Sequence, residues 1–527
     1  MNRKRLLVFI IPVIIVLLLP VAFLFVESFR NEAGAVSLDA LKGLFLSSRQ
    51  ITLFWNSLAL SAGAACGALL IGVPFAFLIN RTDLPFKTFF QAAYLVPLFI
   101  PPYMQAIVWT KLFSQGRIVW SDAMAAGIQL PSIYSIPGGI FIYSLSFFPF
   151  VVLLTSSGLW AVSSSQEEAS LLNKGISRTI RSITLPLITP HITSSAILVF
   201  IFSMVNFEVA DILRLRVYPV EIFINFSAYY NERAATVLSV PLITVALFLI
   251  WGQMIHMKGK SYICFSGRND KGTYALGFMK PFCFIFVTVV IVVAVIIPVF
   301  ALMKGAGTAE NFMQAFQSAK EGIRYSILVA SASAFIMVIL SSVFAYYLER
   351  TRGGVKTAID FMTQIPFGIP SIVLGIGLIK IWNRAGFDWI YGTSGILIIG
   401  CVTAYSPFVI RIMSTKIKQI SRECEEAGIL GTGSWFRVLT NIIIPLSFPG
   451  MVAGFFTGFA LSLSNLGTAL LVVSPGRETV PIRIYNFMHY GAEETVFALN
   501  ILMIGIIGLC FFCAYAGYRF AMRRAGQ

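Results

Sequence analysis

The chain has 527 residues, of which 57% are hydrophobic and only 12% are charged. A soluble protein carries about 25% charged residues, so this composition excludes a single soluble domain and favours many membrane spans joined by short loops. The net charge of +16 could indicate a nucleic-acid partner. However, the basic residues stand in loops between apolar runs and form no aromatic-interleaved face, so lipid and not nucleic acid is expected around the chain.

The amino terminus begins with three basic residues, and an apolar run of about twenty residues follows, from Leu6 to Phe25. This run is too long for the core of a signal peptide and long enough to cross a membrane. We therefore interpret it as a retained first helix. Twelve spans are predicted in all, centred near residues 16, 66, 100, 148, 198, 245, 291, 337, 369, 404, 457 and 506.

The distribution of charge predicts the orientation of these spans. When the amino terminus is placed inside and the spans alternate, the inside loops carry 24 of the 39 Lys and Arg residues. The positive-inside rule then places both termini in the cytoplasm. A bacterial inner-membrane location with multiple passes is expected.

The chain contains an internal repeat. A polar, basic segment at 258–280 is predicted to link two six-span halves, 1–257 and 281–527. Arg81 and Arg350 are equivalent at an offset of 269, and Pro97 and Pro366 share that offset; later positions match at 258 or 259. Because each half has an even number of spans, the copies run in the same sense, as in several transporter classes, and the predicted pathway lies between them.

Enzymatic chemistry finds little support in the sequence. Gly259-Lys260-Ser261 resembles the end of a phosphate-binding loop, but Met254 stands where that loop needs its first glycine. The three His residues are far apart and show no metal-ligand spacing. We expect no cofactor bound by this chain and no catalytic residue.

One loop after the fourth span of each half carries a repeated motif. In the loop near 163–186, Glu167, Glu168 and Ala169 precede Asn173 and Pro186. In the loop near 421–445, Glu425, Glu426 and Ala427 precede Gly431 and Pro445. Both loops resemble the EAA loop of ABC-importer permeases, with departures at Glu168 and Glu426 (Ala in the family) and at Asn173 (Gly in the family). The second copy also has one extra residue before its proline.

This resemblance implies the type I ABC-importer permease fold, an all-α membrane protein of two tandem six-helix halves. It implies two copies of a separate ABC ATPase, which uses ATP and Mg²⁺, and a periplasmic or lipid-anchored substrate-binding protein. Each loop would dock as a coupling helix on one ATPase, with the small alanines allowing close approach and the first glutamate facing a partner arginine. A left-handed turn is expected at Asn173 and Gly431. The predicted coupling residues are Glu167, Glu168, Ala169, Asn173, Glu425, Glu426, Ala427 and Gly431.

The substrate is suggested by a weaker resemblance. Asn80 to Pro85 and the prolines Pro97, Pro101 and Pro102 resemble ferric-iron importer permeases. Fused permeases for thiamine or for 2-aminoethylphosphonate look similar, so these solutes stay open. An ion-coupled secondary transporter is the alternative class, but it should carry acids buried in mid-span, of which Glu208 is the nearest example.

Polar residues near the ends of the fifth and eleventh spans are candidates for the pathway, since polar groups at membrane depth tend to face a cavity. Glu208 and Asp211 could transiently hold a ferric ion, because hard cations prefer oxygen ligands. They could equally pair with Arg214 or Arg216, and no metal site is fixed by the sequence. The predicted pathway residues are Asn206, Glu208, Asp211, Ser462, Ser464 and Asn465.

Overall fold

The computed structural model describes residues 3–29, 42, 47–113, 132–162, 164–256, 274–474, 476–490 and 493–524. These residues are helical almost throughout, and the β pairing among them is one isolated bridge between Thr82 and Tyr274. The predicted all-α fold is confirmed. Most of the predicted linker, residues 258–273, lies outside the described residues.

The chain forms two compact units, each assembled from separate segments. The first unit contains Leu44–Glu221 and Val245–Lys304, and the second contains Met1–Gly43, Ile222–Thr244 and Gly305–Gln527. The units therefore follow the two sequence halves only in part, because the first helix of the chain belongs to the second unit. The division into halves at 258–280 stays a prediction.

The helices before the predicted linker range from five to 34 residues. They are α1 (Arg3–Ser28), α2 (Ser48–Arg81), α3 (Lys87–Ala93), α4 (Pro102–Leu112), α5 (Ile136–Ala161), α6 (Ser164–Thr179), α7 (Leu185–Val205), α8 (Glu208–Ile212), α9 (Tyr218–Ser227) and α10 (Glu232–His256).

The helices after the predicted linker repeat much of this order. They are α11 (Lys280–Ile291), α12 (Ile297–Ala306), α13 (Ala309–Arg350), α14 (Gly354–Gln364), α15 (Ser371–Trp382), α16 (Ser394–Gln419), α17 (Arg422–Thr432), α18 (Trp435–Val438), α19 (Ile444–Leu463), α20 (Gly467–Val472), α21 (Val480–Tyr490) and α22 (Glu493–Arg524).

Nine helices in the described part of the chain are long and apolar enough to cross a membrane, and two bent helix pairs bring this number to eleven. The predicted spans near residues 100 and 369 are not continuous helices: they are pairs bent by 91° and 105°. The cause is local, because Pro101 and Pro370 lack a backbone N–H and disfavour helical geometry in the residue before them. The other ten predicted centres lie within helices.

Each unit is organised around three mutually packed long helices. In the first unit these are α2, α5 and α7, and in the second they are α13, α16 and α19. Close packing is achieved differently in the two trios. A Cβ on Gly158 would lie 2.9 Å from the His191 ring, whereas in the second trio Gly450 makes room for Lys416, whose Cγ would lie 2.6 Å from an added Cβ. The equivalent contact therefore pairs a glycine with a large side chain in both units. The glycine lies on α5 in the first unit, whereas in the second unit it lies on α19 and the large side chain lies on α16.

Helix α1 packs within the second unit, mainly against α15. Its Ile10 and Ile14 join a buried apolar cluster with Phe344 of α13. At the far end of α1, Glu27 accepts a hydrogen bond from Lys380 Nζ at 2.8 Å, and Glu232 lies 3.0 Å from the same ammonium group. Apolar packing and ion pairing thus hold the two ends of α1.

The closest approach of α1 to α15 predicts a sensitive position. A Cβ on Gly377 would lie 2.7 Å from the Pro20 carbonyl oxygen, and a backbone atom cannot rotate away. We expect Gly377→Val to lower the unfolding temperature of the detergent-solubilised protein through overpacking. Gly505→Val is the matched control, because an added Cβ at Gly505 meets no atom within 4 Å. Equal melting temperatures for the two variants would contradict this packing.

Candidate functional site

The two motif loops fold as helical hairpins of the same design, which we call the coupling hairpins. In the first, α6 is interrupted at Gly175, with φ of 67°. In the second, α17 ends at Gly433, with φ of 63°. These glycines are equivalent at the offset of 258, and they adopt a left-handed conformation that a Cβ disfavours. The turn expected at Asn173 and Gly431 is therefore wrong by two residues, because both positions are still helical.

The register of the second hairpin follows from this turn. A π-helical turn begins five residues after Gly175, at Ile180–Thr184, and six residues after Gly433, at Leu439–Ile443. The extra residue of the second copy therefore lies directly after the turn and leaves both helical arms intact. Each π turn leads straight into the long helix, α7 or α19.

The two arms of each hairpin are held together by different contacts. In the first hairpin, the hydroxyl groups of Ser170 and Thr179 lie 2.9 Å apart and share a hydrogen bond. In the second, Gly428 stands at the equivalent of Ser170, and a Cβ there would lie 2.5 Å from the Ile442 side chain. Both hairpins are thus compact without sharing the same side chains.

The first glutamate of the motif points into the protein in the first unit. Glu167 is only 3% exposed; its Oε2 lies 3.0 Å from Arg81 Nη1, and its Oε1 accepts a hydrogen bond from the Thr184 hydroxyl at 2.6 Å. Arg81 Nη2 also donates to the carbonyl oxygens of Leu159 at 2.7 Å and Val162 at 3.0 Å. One guanidinium therefore joins the end of α2, the end of α5 and the first hairpin.

The second unit repeats the arginine, its two carbonyl contacts and the glutamate. Arg350 Nε donates to Glu425 Oε1 at 2.8 Å, and Arg350 Nη2 donates to the carbonyl oxygens of Ile420 at 2.9 Å and Ile417 at 3.3 Å. Those two carbonyls are the equivalents of Val162 and Leu159 at the offset of 258. Glu425 also accepts a hydrogen bond from the Tyr346 hydroxyl at 3.1 Å.

These contacts correct one expectation. We expected Glu167 and Glu425 to face a partner arginine, but both are buried and paired with arginines of the same chain. A carboxylate and a guanidinium removed from water each need a partner, and a pair with additional hydrogen bonds meets that need. The side chains of Arg81 and Glu167 are 2% and 4% exposed, and those of Arg350 and Glu425 are 14% and 10% exposed, so the first pair is the more enclosed.

The rest of each motif faces outward. Glu168 and Ala169 are exposed on the first hairpin, and Glu426 and Ala427 are exposed on the second. Beside them stand two leucines that sequence analysis missed, Leu172 at 87% exposure and Leu430 at 88%. They are equivalent at the offset of 258. The sequence signal for these residues was a leucine at the same position in both polar loops.

The segment after the predicted linker lies against the first pair. Tyr274 N donates to the Arg81 carbonyl at 2.8 Å, and Asp83 N donates to the Tyr274 carbonyl at 3.2 Å. The Asp83 carboxylate in turn accepts hydrogen bonds from Leu276 N at 2.8 Å and Lys280 Nζ at 2.9 Å. Burial raises the pKa of the Tyr274 phenol, which stays neutral beside Glu167. The second pair has no equivalent cover among the described residues.

The predicted pathway residues lie where the long helices α7 and α19 end. Asn206 follows α7, and its Oδ1 accepts hydrogen bonds from the Tyr143 hydroxyl and from Val209 N, both at 3.0 Å. Glu208 is 9% exposed and begins α8, whereas Asp211 is half-buried. The equivalent of Glu208 in the second unit is Gly467, so the carboxylate is not duplicated.

The second unit keeps the asparagine but changes its partner. Asn465 Nδ2 donates to Cys401 Sγ at 3.3 Å, and Cys401 is the equivalent of Tyr143. Asn465, Ser462 and Cys401 line a cavity of about 10 Å³, which is room for about one water molecule. Ser464 bonds back to the Ala460 carbonyl of its own helix at 2.8 Å. No cluster of three or more His, Cys, Asp or Glu side chains suited to a metal ion occurs among the described residues.

The arrangement defines a class of protein: a multi-span helical membrane protein with two similar bundles, each carrying one coupling hairpin. A sequence profile of the family described as "binding-protein-dependent transport system inner membrane component" matches residues 338–524. The molybdenum transport system permease protein ModB of Haemophilus influenzae is 30% identical over an alignment of 206 positions that covers 35% of this chain and 89% of that protein. The chain belongs to this family of inner-membrane transport components.

Two relatives match nearly the whole chain. The Fe(3+)-transport system permease protein FbpB 2 of Haemophilus influenzae is 25% identical over 492 residues, covering 90% of this chain and 92% of its own. The ferric transport system permease protein FbpB of Actinobacillus pleuropneumoniae is 22% identical over 481 residues, covering 86% of this chain and 69% of its own. The similarity therefore extends over both halves of the chain.

The different burial of the two ion pairs predicts that removal of each arginine lowers the free energy of unfolding by a different amount. Arg81→Met leaves the more enclosed carboxylate without its cation, and we expect a loss of about 3–5 kcal/mol in unfolding free energy. Arg350→Met should cost less, because each glutamate keeps one hydroxyl hydrogen bond but Glu425 has more access to water. Thermal unfolding of the two variants in the same detergent measures the difference, and a larger loss for Arg350→Met would contradict it.

Proposed function

We propose that this chain is the permease of an ATP-driven importer that accepts ferric iron from a substrate-binding protein, with ATP and Mg²⁺ used by a separate ABC ATPase. The observation that carries the proposal is the duplicated coupling hairpin. In each copy a buried glutamate fixes the hairpin to the bundle, while alanine, glutamate and leucine form an outer face. Two such faces on one chain fit two ATPase copies and a single permease.

The outer face of each hairpin suits a concave protein partner. Leu172 and Leu430 are almost fully exposed, and burial of a leucine contributes roughly 1.5–3 kcal/mol. The neighbouring alanines leave room for close approach, and Glu168 and Glu426 offer carboxylates to basic groups at the rim of the partner. We assign this face to the ATPase, on the side of the membrane where the charge distribution predicts both termini.

A continuous helix leads from each hairpin to the proposed pathway. It comprises Gly175–Val205, 31 residues, in the first unit and Trp435–Leu463, 29 residues, in the second. At 1.5 Å per residue each helix is roughly 45 Å long. Displacement of a hairpin by its ATPase would therefore reach Asn206 or Asn465 along a single element, which is the geometry that alternating access requires.

Ferric iron is proposed on two grounds. The relatives named as ferric permeases cover 86–90% of this chain. In contrast, a relative described as "putative 2-aminoethylphosphonate transport system permease protein PhnV", from Salmonella typhi, is 28% identical over only 36% of it. Glu208 and Asp211 add oxygen ligands that a hard cation prefers, and they would hold the ion only in passing.

The docking assignment predicts the effect of removing the exposed leucines. We expect the double variant Leu172→Ser and Leu430→Ser to lose at least tenfold in affinity for the ATPase, with an unchanged melting temperature. Trp389→Ser is the control, because Trp389 is 72% exposed in the turn between α15 and α16, remote from the hairpin. Copurification of the ATPase at titrated concentrations measures the affinity. If the double variant retained as much ATPase as the control, this face would be excluded as the docking surface.

The substrate is tested by ATP hydrolysis in reconstituted vesicles. The chain, the ATPase and the binding protein encoded beside it are combined, and the binding protein is loaded in turn with ferric iron, molybdate, thiamine or 2-aminoethylphosphonate. We expect hydrolysis to rise severalfold with the ferric form alone. Stimulation by another solute would reassign the substrate, and the absence of any ATPase association would favour an ion-coupled transporter.

A further inference from the structure

We infer that the two buried pairs, Arg81 with Glu167 and Arg350 with Glu425, are the joints that transmit hairpin movement to the helical bundle. This inference rests on the proposed function, since it names the positioning residues of the same coupling site. It assigns the arginines, which lie outside the motif, a role in transport that goes beyond holding the fold.

The geometry of the guanidinium supports a joint between three elements. Arg81 is the last residue of α2, and it contacts two carbonyl oxygens at the end of α5 as well as Glu167 of the hairpin. Arginine presents five donors in a fixed planar fork, so the three contacts have a defined direction. The hairpin is thereby bonded to the end of α2, which is remote from it in sequence, and to the end of α5, which directly precedes it.

Comparison of the two copies indicates that the ion pairs do more than stabilise the fold. Thr184, which supports Glu167, is equivalent to Ile443, and Phe77 is equivalent to Tyr346, which supports Glu425. The supporting groups therefore differ between the copies, while the arginine, both carbonyl contacts and the glutamate are the same. Stability alone does not require this, because apolar replacement of a buried ion pair is often neutral or stabilising.

The hairpin is consequently connected to its bundle in two ways. Its first arm is held to α2 and α5 by the ion pair, and its second arm runs through the π turn into α7. Gly175 lies between the arms and supplies the bend. A force on the hairpin must therefore move the ends of α2, α5 and α7 together, and the second unit has the same connections to α13, α16 and α19.

The test replaces both charges of a pair at once. Arg81→Met with Glu167→Gln, combined with Arg350→Met and Glu425→Gln, leaves no buried charge unpaired, so the fold is relieved of the penalty that single variants carry. The matched control is Arg411→Met with Asp360→Asn. That ion pair, at 3.0 Å and about one-quarter exposed, does not involve a hairpin.

The complex of this chain with its ATPase is reconstituted, and hydrolysis is compared with and without iron-loaded binding protein. We expect the ratio of stimulated to unstimulated hydrolysis to fall to about 1, and the iron imported per ATP to fall at least tenfold, in the quadruple variant. The control should stay within twofold of the unsubstituted chain. A ratio within twofold of the unsubstituted chain in a quadruple variant that assembles would overturn the inference and leave the pairs a structural role.

A second variant decides the matter if the quadruple variant does not assemble. Arg81→Lys with Arg350→Lys keeps each glutamate beside a cation and removes the planar fork that also reaches the two carbonyl oxygens. A loss of threefold or more in the stimulation ratio, with ATPase bound, supports the joint, and an unchanged ratio rejects it. If the unsubstituted chain itself shows no stimulation, the proposed function fails, which is distinct from failure of the joint.

Discussion

An arginine placed at the end of a membrane helix and shut away from water must find acceptors for its donors and a counter-charge. Arg81 and Arg350 find both in the same way, from two carbonyl oxygens at the end of a neighbouring helix and one glutamate of the following hairpin. The position of each hairpin depends on this requirement. Since the hairpin precedes a continuous helix of about thirty residues, the placement of the predicted pathway residues at its far end depends on it as well.

Sequence patterns predicted most spans correctly, because an apolar run of about twenty residues is typical of a membrane-spanning helix. They failed where the backbone is decided by a single residue. Pro101 and Pro370 break two predicted spans, and the left-handed turn occurs at Gly175 and Gly433 and not two residues earlier. The direction of Glu167 was also missed. Its partner Arg81 is 86 residues away in the chain, and the repeat identified both residues without showing that they meet.

The two units have the same arrangement of three long helices, but the predicted pathway residues at the ends of these helices differ in chemistry. The asparagine that follows the long helix meets a tyrosine in the first unit, Tyr143, and a cysteine in the second, Cys401. Glu208 has only Gly467 as its counterpart. Duplication has therefore preserved the hairpin end of each bundle more closely than the opposite end.

The position of α1 has a consequence for how the protein is made. Its Glu27 is paired with Lys380, which lies 353 residues later in the chain. At a synthesis rate of about 5–20 residues per second, roughly 20–70 s pass before that partner leaves the ribosome. During this time the first helix must reside in the lipid with an incomplete environment, shielded by the insertion machinery or by its own apolar face. Because both halves belong to one polypeptide, the partner of α1 always comes from the same nascent chain.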